Sequence, residues 1–337
     1  MLRSLTLLIN TKNRHFLLDR ALEFYSSWDC EIIICDGSDK PYKTQRETRK
    51  SIKYYHLPAM PGAQKVLYGI NKVTTEYFCL AADDDFFIKS SFINGINFLN
   101  FNIDYIGVQG QFANFKIISN EIYFSNSYVE NLNRIISDDN IAFRLLDSFQ
   151  NITIHAYSIF RTFAAKKAFE VASNLTSSIH CEICLIIFPL LYGKHISMNE
   201  LWCIRDTARY TDHHIPDLNN FNENPYIDFR KYITTQEFYR YKQLFREEVE
   251  LLNNKDLNPD LLFDKIFNIY IKDARTSLIT LIKQYFNKYN FLYKPNKNLN
   301  KTIDQLIKSE VNWAVKQNEI KFIYESIHNK SCLEYIL

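Results

Sequence analysis

The stretch Tyr77-Phe78-Cys79-Leu80-Ala81-Ala82-Asp83-Asp84-Asp85-Phe86-Phe87 decides the fold class of this chain. Its first six residues form an uninterrupted apolar run, which predicts a strand buried on both faces. Such strands lie in sheets that carry helices on both sides. Three aspartates follow at the carboxyl end, which is where ligands bind to open α/β sheets. The stretch therefore predicts an α/β protein whose functional edge includes Asp83–Asp85.

Three further apolar runs precede that stretch and repeat its pattern. Ser4–Ile9, Glu31–Cys35 and Ser51–Leu57 each predict a buried strand. Phe16–Trp28 and Ala63–Val73 lie between them and have apolar residues at helical spacing. Strands that alternate with helices of this length form βαβ units and a mostly parallel sheet. The first third of the chain is therefore predicted to be the core of the α/β unit.

The middle of the chain mixes strand and helix patterns. Tyr105–Gln109 and Asn151–Phe160 predict strands, and Ser178–Tyr192 predicts a buried helix. We expect these elements to complete a mixed, mostly parallel sheet flanked by helices. The α/β domain is then expected to span residues 1–220.

The last third has a helical pattern. Capping boxes at residues 234–237 and 302–305 predict helix starts, so we expect a helical C-terminal domain over residues 221–337. Residues 265–308 carry nine Lys or Arg and two acids, interleaved with aromatic and aliphatic residues. That composition fits peripheral contact with an anionic membrane surface or the contact of a homodimer. A helix with its basic residues in solvent and its apolar residues in the core of the protein explains the composition as well.

Composition limits the function classes. Of the 337 residues, 47% are apolar, which is enough for an extensive core, and the net charge of +2 indicates no nucleic-acid partner. The seven cysteines are an odd number and several lie in apolar runs, as reduced thiols do in a cytosol. No apolar run reaches the ~18–20 residues of a membrane span, and the N-terminus is unlike a signal peptide. We therefore expect a cytoplasmic protein.

The aspartate run is the sharpest chemical signal. Three adjacent carboxylates repel one another, and apolar neighbours reduce their contact with water, so a cation or hydrogen bonds must compensate. Mg²⁺ and Mn²⁺ take oxygen ligands from a few carboxylates and from substrate phosphates. An acidic turn or the start of a helix is the simpler alternative. The position directly after a buried strand favours the metal.

Taken together, Ser4–Arg14, Ile32–Asp39 and Tyr77–Phe87 resemble the GT-A glycosyltransferases, especially the bacterial family-2-like enzymes. In that family a first strand ends in a polar turn, a second ends in an Asp-Gly-Ser-like turn, and a DxD motif follows. The resemblance implies a GT-A-like, Rossmann-related fold. It also implies metal-dependent transfer of a sugar from a nucleotide-diphosphate donor to a glycan or lipid-linked acceptor. Inversion at the sugar and a role in bacterial surface-polysaccharide synthesis are further expectations from the family.

The resemblance also assigns residues to roles. Asp36 matches the aspartate that binds the nucleotide, and Thr11, Arg14 and Lys65 are expected to line the same pocket. Within the acidic run the expected donor ligands are Asp83 and Asp84, and the expected metal ligands are Asp85 and Asp83. Many relatives have a further acid where this chain has Ala81 or Ala82, so the register of the motif is open by one residue.

Sugar transfer with inversion needs a carboxylate that takes the proton of the acceptor hydroxyl. The family places this base at the start of a helix about 100 residues after the acidic motif. Glu182 is the candidate general base here, and His180 is the second candidate. Their alternative role is to begin or cap the predicted helix.

Three other features bear on the site. Arg205 is expected to contact the diphosphate, and His213 or His214 to join the metal shell, as a basic residue and a late histidine do in the family. The pair Cys181 and Cys184 has zinc-ligand spacing, but a single CxxC more often consists of buried thiols.

Two other functions compete with glycosyl transfer. A nucleotidyltransferase would share the sheet and the metal, but the turn after the first strand, residues 10–14, contains no glycine to cradle phosphate. A non-catalytic sugar-nucleotide-binding or scaffolding module would keep the donor pocket and lack turnover. Hydrolysis of sugar nucleotides separates the enzyme from the module.

Overall fold

The computed structural model describes residues 2–43, 51–118, 121–127, 133–150, 152, 155–176, 178–206, 232–254, 256–270 and 316–328. Its strands are β1 (Leu5–Thr11), β2 (Glu31–Asp36), β3 (Ile52–His56), β4 (Tyr77–Ala82), β5 (Phe86–Phe87), β6 (Tyr105–Ile118), β7 (Glu121–Ser127), β8 (Ile135–Ile136), β9 (Ile159–Arg161) and β10 (Lys194–Asp206). Its helices are α1 (His15–Phe24), α2 (Gly62–Ile70), α3 (Lys89–Phe101), α4 (Ile141–Gln150), α5 (Thr162–Ala172), α6 (Ser178–Tyr192), α7 (Gln236–Leu251), α8 (residues 259–270) and α9 (Gln317–His328).

The strands form one mixed sheet in the order β3-β2-β1-β4-β9-β6-β10-β5, with β7 beside β6 and β8 beside β10. The block β3-β2-β1-β4 is parallel, as is the long ladder between β6 and β10. The short strand β9 joins the two blocks by antiparallel pairing. The predicted α/β class with a mixed, mostly parallel sheet is confirmed.

Several predicted bounds needed correction. Tyr77–Ala82 and Ser178–Tyr192 are a strand and a helix as predicted. Among the described residues of the strand predicted over Asn151–Phe160, only the end is a strand: β9 spans Ile159–Arg161 and pairs with β4 and β6. In contrast, the strand predicted over Tyr105–Gln109 extends to Ile118, since β7 and β10 supply hydrogen-bond partners along its whole length.

Two hydrophobic clusters cover the faces of the sheet. Side chains alternate between the faces of a strand, and in β1 Leu7 and Ile9 lie in one cluster and Leu8 in the other. The first cluster includes residues of α1, α3 and α9, and the second includes residues of α2, α4, α5, α6, α7 and α8. The protein is therefore a three-layer α/β structure in the described residues.

The described C-terminal helices pack directly on the α/β unit. Tyr241 and Phe245 of α7 share the second cluster with α6, and Ile320 and Ile323 of α9 share the first cluster with α1. The domain boundary expected near residue 220 lies outside the described residues, as does most of the basic stretch 265–308. None of the described helices is long and apolar enough to cross a membrane.

The helix start predicted at residues 234–237 is confirmed, but the capping box of Thr234 and Glu237 is wrong. Thr235 is the N-cap of α7, and its side chain accepts a hydrogen bond from Phe238 N at 3.2 Å. Glu237 turns away from this cap toward another part of the chain. The box predicted at residues 302–305 lies outside the described residues.

Helix α3, which follows the aspartate run, is capped from a distant part of the chain. Its N-cap residue, Ile88, has no side chain that can accept a hydrogen bond. Glu319 of α9 supplies the carboxylate instead: Ser90 N donates to Glu319 Oε1 at 3.0 Å, and the Ser90 hydroxyl donates to Oε2. Lys316 Nζ donates to Ser90 Oγ at 2.8 Å. A carboxylate here also faces the positive end of the helix dipole.

We expect Glu319→Ala to lower the free energy of unfolding by about 1 kcal/mol, the usual effect of removing a cap. Chemical denaturation of the variant measures this loss. Glu325→Ala removes an exposed carboxylate from the same helix and is expected to change stability by less than about 0.5 kcal/mol. Equal effects of the two variants would contradict a capping role for Glu319.

Candidate functional site

Parallel register brings three polar residues together at the carboxyl edge of the sheet. Thr11 at the end of β1 is paired with Asp36 at the end of β2, and Asn10 is paired with Ala82 at the end of β4. Asp83 follows at once, and Thr11 Oγ1 donates a hydrogen bond to Asp83 Oδ2 at 2.6 Å. Thr11, Asp36 and Asp83 are at most 2% exposed. The three residues predicted from separate motifs thus form one buried polar edge.

Asp36 is held as an ionised carboxylate. Ser38 N donates to Oδ1 at 2.8 Å, the Tyr54 hydroxyl donates to Oδ2 at 2.8 Å, and His15 Nε2 lies 2.9 Å from Oδ2. Burial alone would raise the pKa of Asp36, but these hydrogen bonds outweigh it and lower the pKa. The bond to Asp36 and burial raise the pKa of Tyr54 to about 12. The site therefore offers a fixed negative charge at this point.

Lys65 of α2 lies beneath the same edge. Its Nζ donates to the carbonyl oxygen of Thr11 at 3.0 Å, and the side chain is buried. Burial lowers its pKa, and the nearby carboxylates, including Asp36 and Asp83, oppose this. A Cβ at Gly37 would lie 2.5 Å from Lys65 Nζ, so a glycine in this turn leaves room for the ammonium group. Lys65 thus lies at the same edge of the sheet as Thr11 and Asp36.

Arg14 connects two of the three aspartates. Its Nη2 lies 2.5 Å from Asp83 Oδ1, and its Nη1 donates to Asp84 Oδ2 at 2.8 Å. Arg20 Nη2 donates to the carbonyl oxygen of Asp84 at 2.9 Å and lies 3.3 Å from Asp206 Oδ2. The repulsion within the aspartate run is therefore offset by protein cations.

Asp85 faces the end of β10. Asp206 N donates to Asp85 Oδ1 at 2.9 Å, Arg205 Nε lies 3.7 Å from Oδ2, and the Tyr157 hydroxyl also donates to this carboxylate. Burial and the charge of Asp84 raise the pKa of Asp85 to about 7, although Arg205 opposes them. Burial raises the pKa of Asp83 to about 6 against the attraction of Arg14. Both groups are therefore less acidic than an exposed aspartate.

These side chains do not fit a preformed metal centre. In the described ranges no three His, Cys, Asp or Glu side chains lie close enough to hold one ion. Asp83 faces Thr11 and Arg14, and Asp85 faces Arg205 and the backbone of Asp206. The predicted ligands His213 and His214 lie outside the described residues.

A cavity of about 730 Å³ opens beside the aspartate edge, between α2, α5 and α6. Asn10 and Ala82, next to Thr11 and Asp83 of the polar edge, line it, as do Tyr157, Thr176 and Glu182. Most of the remaining wall is apolar. The cavity is large enough for a hexose and part of a second ring.

Glu182, near the start of α6, lines this cavity. The residue is exposed to solvent there, yet the surrounding wall reduces hydration of its carboxylate, and this burial raises the pKa of Glu182 while Arg205 partly opposes the shift. A carboxylate with a raised pKa at the edge of a cavity can accept a proton from a bound hydroxyl. The assignment of Glu182 as the general base stays a prediction.

The other predicted residues lie in different surroundings. His180 is buried and stacks on Tyr232 with ring centroids 3.8 Å apart. Arg205 lies over the ring of Tyr157, with 5.3 Å between its Cζ and the ring centroid. Cys181 and Cys184 are free thiols, half-buried and buried, as the simpler interpretation of the CxxC pair predicted.

Sequence reasoning missed five residues of the site: His15, Arg20, Tyr54, Tyr157 and Asp206. His15 directly follows Arg14 and could have been found by extending the same polar turn. The other four come from elements without a recognisable motif. Their roles depend on strand pairing and helix packing, which bring them to the edge from distant parts of the chain.

Scans of the sequence against protein-family models and against curated proteins give no match. Among solved structures the chain is similar to S. aureus TarS. A structure of TarS 1-349 aligns over 81% of this chain and 73% of that chain, with 13% identity and a TM-score of 0.48. The same TarS segment in complex with UDP-GlcNAc aligns over 82% of this chain and 75% of that chain, with 11% identity and a TM-score of 0.47. At this distance the functional proposal rests on the side chains of the site itself.

Proposed function

We propose that the protein is a glycosyltransferase that uses a nucleoside-diphosphate sugar. The observation that carries this proposal is the junction of two sites: the buried edge of Thr11, Asp36 and Asp83 lies beside the cavity that Glu182 faces. The sequence resemblance supports the same conclusion. A donor placed across the junction has its nucleotide at the edge and its sugar in the cavity.

Each part of the donor has a matching group in this arrangement. Asp36 offers hydrogen-bond acceptors to the base or ribose, with Thr11 and Lys65 beside it. Arg14 and Arg205 flank the aspartate run, and guanidinium groups bind phosphate oxygens in a bidentate manner. In the proposal the donor diphosphate replaces the aspartates of Asp83–Asp85 as the ion-pair partner of these arginines. Asp83 then faces the ribose or the donor sugar.

The reaction follows from these positions. The acceptor hydroxyl oxygen forms a bond to the anomeric carbon of the sugar, and the bond from that carbon to the diphosphate oxygen breaks. Glu182 takes the hydroxyl proton, and the nucleoside diphosphate leaves with the bonding electrons. Attack from the face opposite the leaving group gives inversion, which belongs to this proposal.

We propose that a divalent ion, Mn²⁺ or Mg²⁺, binds together with the donor diphosphate. The described carboxylates do not form a metal centre by themselves, and no step above depends on the ion. The glycan or lipid-linked acceptor and a role in surface-polysaccharide synthesis rest only on the sequence resemblance. Membrane contact and dimerisation, expected from residues 265–308, remain predictions of the sequence.

Nucleotide binding and donor hydrolysis test the proposal. We expect UDP, GDP, CDP or dTDP, alone or with Mn²⁺, to raise the melting temperature, and one matching sugar nucleotide to be hydrolysed slowly. Asp36→Asn is expected to weaken binding of the preferred nucleotide about tenfold, because it removes a charge-assisted hydrogen bond. Asp39→Asn changes an exposed acid in the same turn and is the matched control.

The outcomes of this test separate the rival functions. Binding without turnover on any donor or acceptor would indicate the sugar-nucleotide-binding module. Absence of binding to all four nucleotides, with and without Mn²⁺, would overturn the donor site and the proposal with it.

A further inference from the structure

Helix α7 contacts the segment that leads into α6. Glu237, in the first turn of α7, accepts two hydrogen bonds from Thr176 at its Oε2, from Thr176 N at 3.3 Å and from Thr176 Oγ1 at 2.7 Å. Its Oε1 accepts a third bond from the Tyr232 hydroxyl at 2.9 Å. Both oxygens of this carboxylate thus accept hydrogen bonds, and the bonds to Oε2 join residues 61 positions apart in sequence.

The start of α7 and the residues just before it pack along one face of α6. Tyr232, which Glu237 holds, stacks on His180 with ring centroids 3.8 Å apart and an interplanar angle of 15°. One turn further along, Cys184 Sγ contacts the Tyr241 hydroxyl at 3.4 Å. Residues 180 and 184 lie on the same face of a helix because they are four positions apart.

Glu182 lies on the other face of α6. Two positions from His180 correspond to about 200° around the helix axis, so α7 contacts one side and the cavity lies on the other. Thr176, the residue that Glu237 holds, also lines this cavity together with Glu182. The contact of Glu237 therefore fixes one wall of the cavity just before the helix that carries the candidate base.

We propose that Glu237 is a positioning residue for Glu182. It ties Thr176 and, through Tyr232, the first turn of α6 to α7, so that the carboxylate of Glu182 stays at the cavity. The inference rests on the proposed function, since it concerns the same base. It gives the C-terminal helical segment a role in the chemistry, which the sequence motifs do not suggest. Helix ends fray when their tethers are removed, which is how loss of Glu237 would release Glu182.

Kinetics of three variants test the effect on the reaction. Glu237→Ala is expected to lower kcat by about 10- to 100-fold, the effect of a base displaced by about 1 Å, with little change in the KM for the donor. Glu237→Gln keeps one acceptor oxygen and is expected to recover part of the loss. Glu250→Ala removes an exposed carboxylate from the same helix and is expected to behave like the wild type.

The pH profile gives a readout that a general loss of stability would not change. If the first turn of α6 loosens, Glu182 gains hydration and its pKa falls, because burial is what raises it. The acid limb of the kcat profile is then expected to move to lower pH in Glu237→Ala and to stay in place in Glu250→Ala.

Hydrogen exchange tests the positioning contact without any activity. Peptides that cover residues 174–184 are expected to exchange faster in Glu237→Ala than in the wild type and Glu250→Ala. Thr176→Val removes the hydroxyl on the other side of the contact and is also expected to speed exchange in these peptides. It replaces Glu237→Ala in the test if that variant does not fold.

Unchanged exchange in these peptides would overturn the proposal. If Glu182→Gln inactivates the enzyme, faster exchange together with an unchanged kcat in Glu237→Ala would also overturn it. Wild-type turnover in Glu182→Gln is a different result. It would overturn the assignment of the base, and therefore the function on which this proposal rests.

Discussion

Glu182→Gln is expected to lower kcat by about 10²- to 10⁴-fold, which is the usual contribution of a general base. The amide keeps the size and the hydrogen-bonding capacity of the side chain but cannot take the proton of the acceptor hydroxyl. In the proposed arrangement the nucleotide lies at the strand edge, away from Glu182, so its Kd is expected to stay within about twofold, a difference well below 1 kcal/mol. Turnover and nucleotide binding are measured on the same preparation.

His180→Phe distinguishes the two candidate bases. His180 is buried against Tyr232, and a phenyl ring preserves that stack. We therefore expect this variant to retain most of its turnover. The opposite result would refute Glu182 as the general base: His180→Phe would lose turnover about 10²- to 10⁴-fold, and Glu182→Gln would remain active.

Asp85→Asn is expected to make the protein more stable above pH 7 and less active. Burial raises the pKa of Asp85 to about 7 in the folded protein, well above its ordinary value of 3.8. The folded state therefore binds a proton more tightly than the unfolded state, and the stability contribution of this group falls as the pH rises from about 4 to 7. Asparagine does not ionise, so its advantage is largest above pH 7 and disappears near pH 4.

Thermal unfolding at pH 5 and pH 8 measures this difference. We expect the melting temperature of Asp85→Asn to exceed that of the wild type by a few degrees at pH 8 and by much less at pH 5. Turnover is expected to fall on the order of 10²-fold, because Arg205 and the end of β10 lose the charge that orients them. Asp104→Asn, at an exposed aspartate paired with Lys194, is the control. A variant that is less stable than the wild type at pH 8 would show that the ionised carboxylate stabilises the fold.

Local sequence patterns predicted the parts of the fold that depend on local physics. Tyr77–Ala82 is buried on both faces, and a strand in that position must be apolar at every residue. Ser178–Tyr192 is apolar almost throughout because α5 and α7 cover it. In the site, Asp36 and Asp83 were identifiable because each lies at the carboxyl end of such an apolar run.

The remaining features depend on contacts between distant residues. Asp206 reaches Asp85 only because β10 pairs with β5 and β6, and the hydrogen bond from Asp206 N to Asp85 Oδ1 spans 121 positions. Glu237 was predicted to cap its own helix, and a pattern of four residues cannot indicate that Thr176 competes for its carboxylate. Tyr157 lies in a turn without regular structure, so no periodicity marks it.

The return of α9 to the first cluster has a consequence for the order in which the chain folds. Ile320, Ile323 and Ile327 are buried against the layer of α1 and α3, and Glu319 caps a helix whose Ser90 is 229 positions earlier. During synthesis the N-terminal βα units are therefore complete in sequence long before this apolar surface is covered. Contacts of such long range slow folding and leave hydrophobic surface exposed in intermediates. A nascent chain that ends before residue 320 leaves this apolar surface uncovered, which favours aggregation. In the folded chain α9 covers the same surface.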